Sequence, residues 1–267
     1  MNGPNIPATR RFGAQVDFGR TAREYQQHRQ GFPPAFFEAV DACGFARPGQ
    51  RVLDLGSGTG TVARGLALLG LQAAAIDPAE ALIEVARQLD RQAGVGIDYH
   101  VGKAEALPFA NESFDLVTAG QCWHWFDRPA AAQEARRVLR PRGRLLIAHF
   151  DWLPLPGNVV EATERLILQA NPNWTMGGGT GIYPLWLGDL ANADFGSIET
   201  LSFDLSVAYS HEAWRGRIAA SAGVKASLTD VEVERFDRDL AEVLSSKFPG
   251  DPLDVPHRVW VATGIRL

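Results

Sequence analysis

A glycine-rich segment contains the most informative residues of the sequence. It reads Val52-Leu-Asp-Leu-Gly-Ser-Gly-Thr-Gly60, so an apolar run leads directly into glycines at alternate positions. Glycine lets a ligand approach the backbone closely, and a helix that begins after such a turn presents unpaired N–H groups to it. The segment therefore predicts a loop that binds a nucleotide-like cofactor.

The spacing of these glycines separates the candidate cofactors. A dinucleotide fingerprint, G-x-G-x-x-G, would require a glycine where this chain has Thr61. The Gly-Lys-Ser/Thr sequence of a phosphate-binding P-loop does not follow either. The spacing thus disfavours both NAD and ATP.

Asp77 is placed to act on the same ligand. It ends the next predicted strand, 19 residues after Gly58. At that position an acid can accept hydrogen bonds from both hydroxyls of a ribose. The other interpretation is that Asp77 caps the helix that begins at Pro78, and the two roles are compatible.

A second group of chemically useful residues is Gln121-Cys-Trp-His-Trp-Phe126. His124 has the ring needed for a general base or for a hydrogen-bond donor to a substrate. A structural histidine is an equal alternative. Trp123 and Trp125 alternate with His124, so we expect one of the two indoles to lie in the core.

These residues need a scaffold that brings them to one edge. Apolar runs predict strands at 51–55, 73–76, 97–101, 114–119 and 144–150. Helices are predicted at 61–69, from Pro78 onward and at 129–140. Strands that alternate with helices predict a parallel, doubly wound α/β sheet, and ligands bind at the carboxyl ends of its strands.

The pattern changes after Phe150. Residues 151–196 hold tryptophans, prolines and a run of three glycines, which favours an inserted lid. Strands are predicted at 197–207 and 256–265, with a helix that a capping box starts at Thr229. An earlier helix is predicted from Pro33 to Gly44. The expected organisation is an N-terminal segment that closes over the site (1–44), a cofactor-binding domain (45–150 and 197–267) and the lid (151–196).

The glycine segment resembles motif I of class I S-adenosylmethionine-dependent methyltransferases. Further segments resemble this family in the same order: Gly102–Phe109, Ser113–Val117 and Ala135–Ile147. Together the matches cover roughly residues 45–150. The resemblance implies a Rossmann-like, seven-stranded, mostly parallel sheet with an antiparallel last strand. It also implies S-adenosylmethionine as cofactor and S-adenosylhomocysteine as product.

The resemblance implies a set of cofactor contacts. The glycines would line the methionine part, Asp54 would lie near its amino group, and Asp77 would bind the ribose. Ala104 and Glu105 would flank the adenine, although Lys103 stands where relatives often have an acid. The complete expected set is Asp54, Gly56, Gly58, Gly60, Asp77, Ala104, Glu105, Gln121 and Arg29.

The His-Trp pair at 124–125 resembles a branch that includes the trans-aconitate methyltransferases, which esterify small carboxylic acids. Tyr25-Gln-Gln-His-Arg29 resembles the N-terminal element of such enzymes, in which the tyrosine would close over the substrate. Methyl transfer depends on alignment and exclusion of water more than on a triad. The expected catalytic residue is His124, and the expected substrate contacts are Tyr25, Trp123, Trp152 and Trp186.

Composition excludes several function classes. The net charge of −5 argues against a nucleic-acid surface. The two cysteines, Cys43 and Cys122, favour a reducing compartment over a disulfide framework. No apolar stretch is long enough for a membrane span, and the histidines show no metal-ligand spacing. We therefore expect a cytoplasmic protein without metal, either monomer or homodimer.

The leading hypothesis is methyl transfer to an oxygen, carboxylate oxygens included, or to a nitrogen of a small molecule. The alternatives are a non-catalytic S-adenosylmethionine sensor and C-methylation of a metabolite. Nucleotide-linked oxidoreduction is disfavoured by Thr61. A nucleic-acid methyltransferase would need an Asn/Asp-Pro-Pro-Tyr/Phe motif or an appended basic domain, and the sequence has neither.

Overall fold

A computed structural model describes residues 31–267, except positions 222 and 226. Tyr25 and Arg29, two of the predicted site residues, lie outside the described residues. The described chain forms two compact units. The first unit contains the described residues up to His149, together with Tyr183–Ser202 and Trp260–Leu267, and the second contains Phe150–Ile182 and Phe203–Val259.

A seven-stranded sheet organises the chain, in the order β3-β2-β1-β4-β5-β7-β6. Its strands are β1 (Arg51–Leu55), β2 (Gln72–Asp77), β3 (Asp98–Val101), β4 (Phe114–Gly120), β5 (Leu139–Trp152), β6 (Phe195–Tyr209) and β7 (Leu253–Arg266). The pairs β1–β2, β1–β4, β2–β3 and β4–β5 are parallel. The last strands are antiparallel, and the predicted fold class is confirmed.

Eight α-helices of the described chain accompany the sheet. They are α1 (Pro34–Ala42), α2 (Thr61–Leu68), α3 (Glu80–Ala93), α4 (Arg128–Val138), α5 (Val159–Ala170), α6 (Leu185–Asn192), α7 (His211–Ala219) and α8 (Asp230–Lys247). A short 3₁₀ helix spans Trp123–Trp125. The capping box predicted at Thr229 is confirmed, because its side chain and that of Glu232 satisfy each other's backbone N–H groups.

The centre of the first unit is buried on both faces of the sheet. In β1 every residue after Arg51 is buried, and Leu116 and Val117 of β4 have no exposed surface. Such continuous apolar runs are typical of parallel strands covered by helices. The continuous apolar runs therefore made these strands predictable from the sequence.

Strand β5 begins earlier than predicted. The strand was predicted from residue 144, after a helix to residue 140, but the helix ends at Val138 and the strand starts at Leu139. The register between β4 and β5 shifts here, from Phe114 opposite Leu139 to Leu116 opposite Arg144. Arg142 has a φ of 64° within this irregularity. The extra residues of β5 at this point form a β-bulge or similar irregularity in the pairing with β4.

The second unit has its own core, formed by α5, α7, α8 and the adjoining ends of β5, β6 and β7. Trp214 is fully buried and donates a hydrogen bond from Nε1 to Thr163 Oγ1 over 3.1 Å. The predicted domain boundaries stay a prediction, and the compact units divide the chain differently. Residues 183–196 of the predicted lid belong to the first unit, and 203–259 of the predicted cofactor domain belong to the second.

Within the described part of the chain, every helix is too short or too polar to cross a bilayer.

Candidate cofactor and acceptor site

The glycine loop connects β1 to α2 through three backbone positions in the left-handed region. Gly56, Gly58 and Gly60 have φ values of 59°, 53° and 77°. A side chain at Gly56 would meet Cys122 and Phe126 at 3.0 Å, and one at Gly60 would meet the hydroxyl of Tyr99. At Gly58 the corresponding direction is open to 4 Å. The outer glycines thus permit tight packing, whereas Gly58 faces open space.

Asp54 lies underneath the loop and is 2% exposed. Its Oδ1 accepts a hydrogen bond from Thr118 Oγ1 over 2.7 Å, and its Oδ2 accepts one from Ala63 N–H over 3.2 Å. Burial raises the pKa of this carboxyl to about 7. Asp54 therefore ties the first turn of α2 to β4. Its predicted position near the cofactor's amino group stays a prediction.

Asp77 holds the loop from the neighbouring strand. Its Oδ2 accepts a hydrogen bond from Gly58 N–H over 2.8 Å, and its Oδ1 accepts one from Ala79 N–H over 2.8 Å. The second bond holds Ala79, the N-cap residue of α3. Because this helix begins at Glu80 and not at Pro78 as predicted, Asp77 is not itself the helix cap. Each carboxylate oxygen can accept a second bond, so acceptor capacity remains for a ligand. Burial raises the pKa of Asp77.

The predicted adenine-side segment is held by a network that the sequence reasoning missed. Glu134 Oε2 accepts a hydrogen bond from Leu107 N–H over 2.7 Å. Arg137 donates to the carbonyl oxygens of Leu107 and Phe109 over 3.0 and 2.8 Å. The sequence signal that could have indicated this network is the i,i+3 spacing of Glu134 and Arg137 on α4, which favours a side-chain ion pair. Both side chains thus fix the backbone of residues 107–109.

The two predicted adenine neighbours differ in exposure. Ala104 is 3% exposed and belongs to the hydrophobic core. Glu105 is half-buried, and its Oε1 accepts a hydrogen bond from Asp127 N–H over 2.8 Å. Lys103 is exposed. The Glu105 bond ties the adenine-side segment to the start of α4.

The segment that follows β4 packs directly on the glycine loop. Cys122 donates a hydrogen bond from Sγ to Leu55 O over 3.1 Å, and its side chain closes the space beside Gly56. Gln121 has a φ of 60°, which is rare for a residue with a side chain, and its N–H donates to Ala148 O over 2.9 Å. Such strain is often found at functional sites.

Trp123 is in the core, and its predicted role as a substrate contact is wrong. The indole has no exposed surface, and its Nε1 donates a hydrogen bond to Asp189 Oδ2 over 2.9 Å. The Asp189 carboxylate also lies 3.6 Å from the guanidinium of Arg128. A fully buried ring that is held by a carboxylate on the neighbouring helix does not reach a substrate. Trp125, which is half-buried, is the partner that reaches the surface.

His124 begins a cluster of aromatic and imidazole rings. Its ring centroid lies 4.6 Å from that of Trp125 and 5.3 Å from that of His149. His149 in turn lies 4.5 Å from Tyr183 and 4.8 Å from Trp186. His149 and Tyr183 are candidate substrate neighbours by sequence, but neither belongs to the expected set of site residues given above. Their proximity to His124 depends on contacts between β5 and the segment before α6, which no local pattern reveals.

Trp152, another predicted substrate contact, belongs to the second unit. Its Nε1 donates a hydrogen bond to Glu164 Oε1 over 2.8 Å, and the guanidinium of Arg217 lies 4.8 Å from its ring centre. Glu164 also accepts a hydrogen bond from Gly178 N–H over 2.7 Å. Burial raises the pKa of Glu164. The contacts of Trp152 thus organise the second unit.

The loop fits the expected cofactor. Gly58 faces open space, and the acid beside it retains acceptor capacity. The Ser57 Oγ atom is buried and has no hydrogen-bond partner within the described residues. A ligand with ribose hydroxyls and an amino acid moiety would satisfy these groups. In the part of the chain that the structure describes, no three His, Cys, Asp or Glu side chains cluster in a way that could hold a metal ion.

Comparison with known families agrees with this geometry. The family described as "Methyltransferase domain" matches residues 53–147. This stretch runs from the glycine loop through Asp77 and His124 into β5. The predicted resemblance to methyltransferases is therefore confirmed over this stretch.

Two relatives show how far the sequence likeness extends. The chain is 38% identical over 130 residues to an uncharacterized methyltransferase of Mycobacterium tuberculosis, covering 49% of this chain and 50% of that protein. It is 39% identical over 115 residues to the ubiquinone/menaquinone biosynthesis C-methyltransferase of Vibrio vulnificus, covering 41% and 44%. The chain thus spans about half the length of these curated relatives.

Solved structures share the fold over most of the chain. A structure described as a type II methyltransferase from Anaeromyxobacter dehalogenans is 24% identical, with a TM-score of 0.63, and covers 90% of this chain and 98% of that one. An N-methyltransferase of Haemonchus contortus, solved with phosphomonomethylethanolamine and S-adenosylhomocysteine, is 18% identical with a TM-score of 0.55, covering 93% and 57%. At these identities the likeness concerns the fold.

Proposed function

We propose that this chain, with its methyltransferase domain at residues 53–147, transfers the methyl group of S-adenosylmethionine to an oxygen or nitrogen atom of a small molecule. One observation carries the proposal. The segment that bears His124 packs on the glycine loop, because Cys122, two residues before His124, is bonded to Leu55 at the start of the loop. A donor in the loop and an acceptor beside His124 would therefore meet.

The donor would be held by the residues at the carboxyl ends of β1 and β2. Asp77 would accept hydrogen bonds from the ribose, while its bond to Gly58 holds the loop open for the methionine part. Ala104, Glu105 and Gln121 complete the proposed contacts, and Glu105 is already fixed through Asp127. Preorganised partners of this kind reduce the ordering cost of binding.

When bound, S-adenosylmethionine supplies a methyl group on a sulfonium, and the acceptor–carbon bond forms as the carbon–sulfur bond breaks, its electron pair remaining on the sulfur of S-adenosylhomocysteine. His124 accepts the proton that an O–H or N–H acceptor must lose. The half-buried rings of Trp125 and Phe126 beside it exclude water and attract positive charge. A carboxylate acceptor needs no base, and His124 would then donate a hydrogen bond.

C-methylation is the second candidate, since the Vibrio vulnificus relative is named as a C-methyltransferase. A carbon acceptor also needs a base for its proton, and His124 could serve there as well. The location of the new methyl group distinguishes the two reactions. Transfer of a labelled methyl group to an acid-stable carbon position, but to no oxygen or nitrogen, would replace the leading proposal.

The test begins with calorimetric titration of the folded protein with S-adenosylmethionine, S-adenosylhomocysteine and, as a control, NAD. We expect both sulfur ligands to bind and NAD not to bind. A screen of small acids, amines and phenols then measures release of S-adenosylhomocysteine. Binding without turnover on any acceptor would favour a sensor, whereas lack of binding would overturn the assignment of the loop.

A further inference from the structure

Tyr183 and Trp186 form a stacked pair in the first unit. Their ring centroids lie 4.1 Å apart and their planes are inclined by only 7°. Trp186 is 4% exposed, whereas Tyr183 is half-buried. The pair therefore has one buried ring and one ring with accessible surface.

Two further rings, those of Trp260 and His149, contact the stack. Trp260 of β7 contacts both rings, at centroid distances of 5.6 Å to Tyr183 and 5.8 Å to Trp186. His149 of β5 contacts both as well, at 4.5 Å and 4.8 Å. His149 and Trp260 are 2% and 3% exposed. Residues of two strands thus fix the orientation of the Tyr183 ring, so a ligand that stacks on it pays little entropy for ordering the side chain.

The stack is also connected to the proposed base. His149 contacts both, since its ring centroid lies 4.5 Å from that of Tyr183 and 5.3 Å from that of His124. His124 belongs to the segment that packs on the glycine loop. A series of contacts therefore links the glycine loop, the segment of His124, His149 and Tyr183.

We propose that Tyr183 is the platform on which the acceptor stacks, and that the acceptor is accordingly a planar, conjugated molecule. This inference rests on the proposed methyl transfer and names its substrate class. Aromatic pairs favour offset stacking, and a ring already stacked on Trp186 presents one face orientation to a third planar group. His149 is a positioning residue, because it holds the rings of both Tyr183 and His124 without reaching the surface itself.

The test compares acceptor analogues that match in size and polar group but differ in planarity. Phenol against cyclohexanol and benzoate against cyclohexanecarboxylate are two such pairs. Binding of each to the protein saturated with S-adenosylhomocysteine is measured by calorimetry, which avoids differences in nucleophilicity. We expect the planar member of at least one pair to bind about threefold to tenfold more tightly, the gain typical of one aromatic contact.

Two variants separate stacking from other roles of the residue. Tyr183→Phe keeps the ring and should keep the preference, whereas Tyr183→Leu should abolish it and leave the saturated member's affinity unchanged. Both should bind S-adenosylhomocysteine as the native protein does. Equal affinities within every pair in the native protein, including no binding by any member, would overturn the platform.

The outcomes also distinguish a failure of the Tyr183 platform from a failure of the proposed methyl transfer. If S-adenosylhomocysteine does not bind, the proposed methyl transfer fails. If it binds but planarity has no effect, only the platform fails. Since the native protein alone decides between these outcomes, the test survives even if Tyr183→Leu does not fold.

Discussion

The Oδ2 atom of Asp77 lies 2.8 Å from the amide nitrogen of Gly58, which places an acid of β2 under the middle glycine of the loop. The same carboxylate accepts a second hydrogen bond from Ala79 N–H. Asp77 thus joins the loop after β1 to the start of α3. A ligand that binds to it would meet a backbone that is already in place.

Replacing Asp77 tests this connection. Asp77→Ala removes both hydrogen bonds and the proposed ribose acceptor, so the affinity for S-adenosylhomocysteine should fall by about 1–3 kcal/mol. Calorimetry measures the change, with Asp98→Asn at the exposed start of β3 as the matched control. An affinity equal to that of the native protein would remove Asp77 from the site.

Replacing His124 tests the proposed base. His124→Gln should lower kcat on an O–H or N–H acceptor by about 10²–10⁴-fold, the usual contribution of general acid–base catalysis. The affinity for S-adenosylhomocysteine should stay within about twofold, because the cofactor contacts proposed above lie elsewhere. His100→Gln on β3 provides the control, since His100 contacts Phe109 and not the His124 cluster. Loss of affinity with unchanged kcat would indicate a structural role.

The pKa of Asp54 predicts how stability depends on pH. Burial raises it from 3.8 to about 7 in the folded protein. Between these values the folded state binds more protons than the unfolded state, so the free energy of unfolding falls as the pH rises. The slope is about 1.4 kcal/mol per pH unit within this window. Above about pH 7, Asp54 is ionised in both states and no longer makes the free energy of unfolding depend on pH. The contribution of Asp54 to the free energy of unfolding is fully present below its unfolded pKa of 3.8.

Chemical denaturation between pH 4 and 8 measures that slope. Asp54→Asn cannot titrate, while Thr118 can donate to or accept from the amide, so the variant should show a flatter pH dependence than the native protein. Asp77 has a raised pKa of the same sign and contributes to the slope that remains. Identical slopes in both proteins would mean that Asp54 does not titrate in this range.

Trp123 should behave as a core residue. Trp123→Phe removes the hydrogen bond to Asp189 and leaves that partly buried carboxylate without its indole donor, so the free energy of unfolding should fall by about 1–3 kcal/mol. Burial already raises the pKa of Asp189. The KM for the acceptor should not change, and Trp125→Phe serves as the half-buried comparison. A raised acceptor KM in Trp123→Phe at unchanged stability would restore Trp123 to the substrate site.

Much of the fold was available from local sequence. The strands of the first unit are continuous apolar runs between helices, because a parallel strand is covered on both faces. The loop was visible because left-handed backbone strongly favours glycine at Gly56, Gly58 and Gly60. The start of α8 was visible because a capping box lies within four consecutive residues. Each of these signals acts over a few positions.

The tertiary structure decided what depends on distant contacts. Trp123 and Trp125 are equivalent in sequence, and only the bond from Trp123 to Asp189, 66 residues away, places one of them in the core. The strand ends that bring His149 to Tyr183 are likewise set by packing across the first unit. Burial of Asp54 beneath its own loop follows from Thr118, 64 residues later. Sequence determines which groups are present, whereas burial and proximity arise only when remote elements pack together.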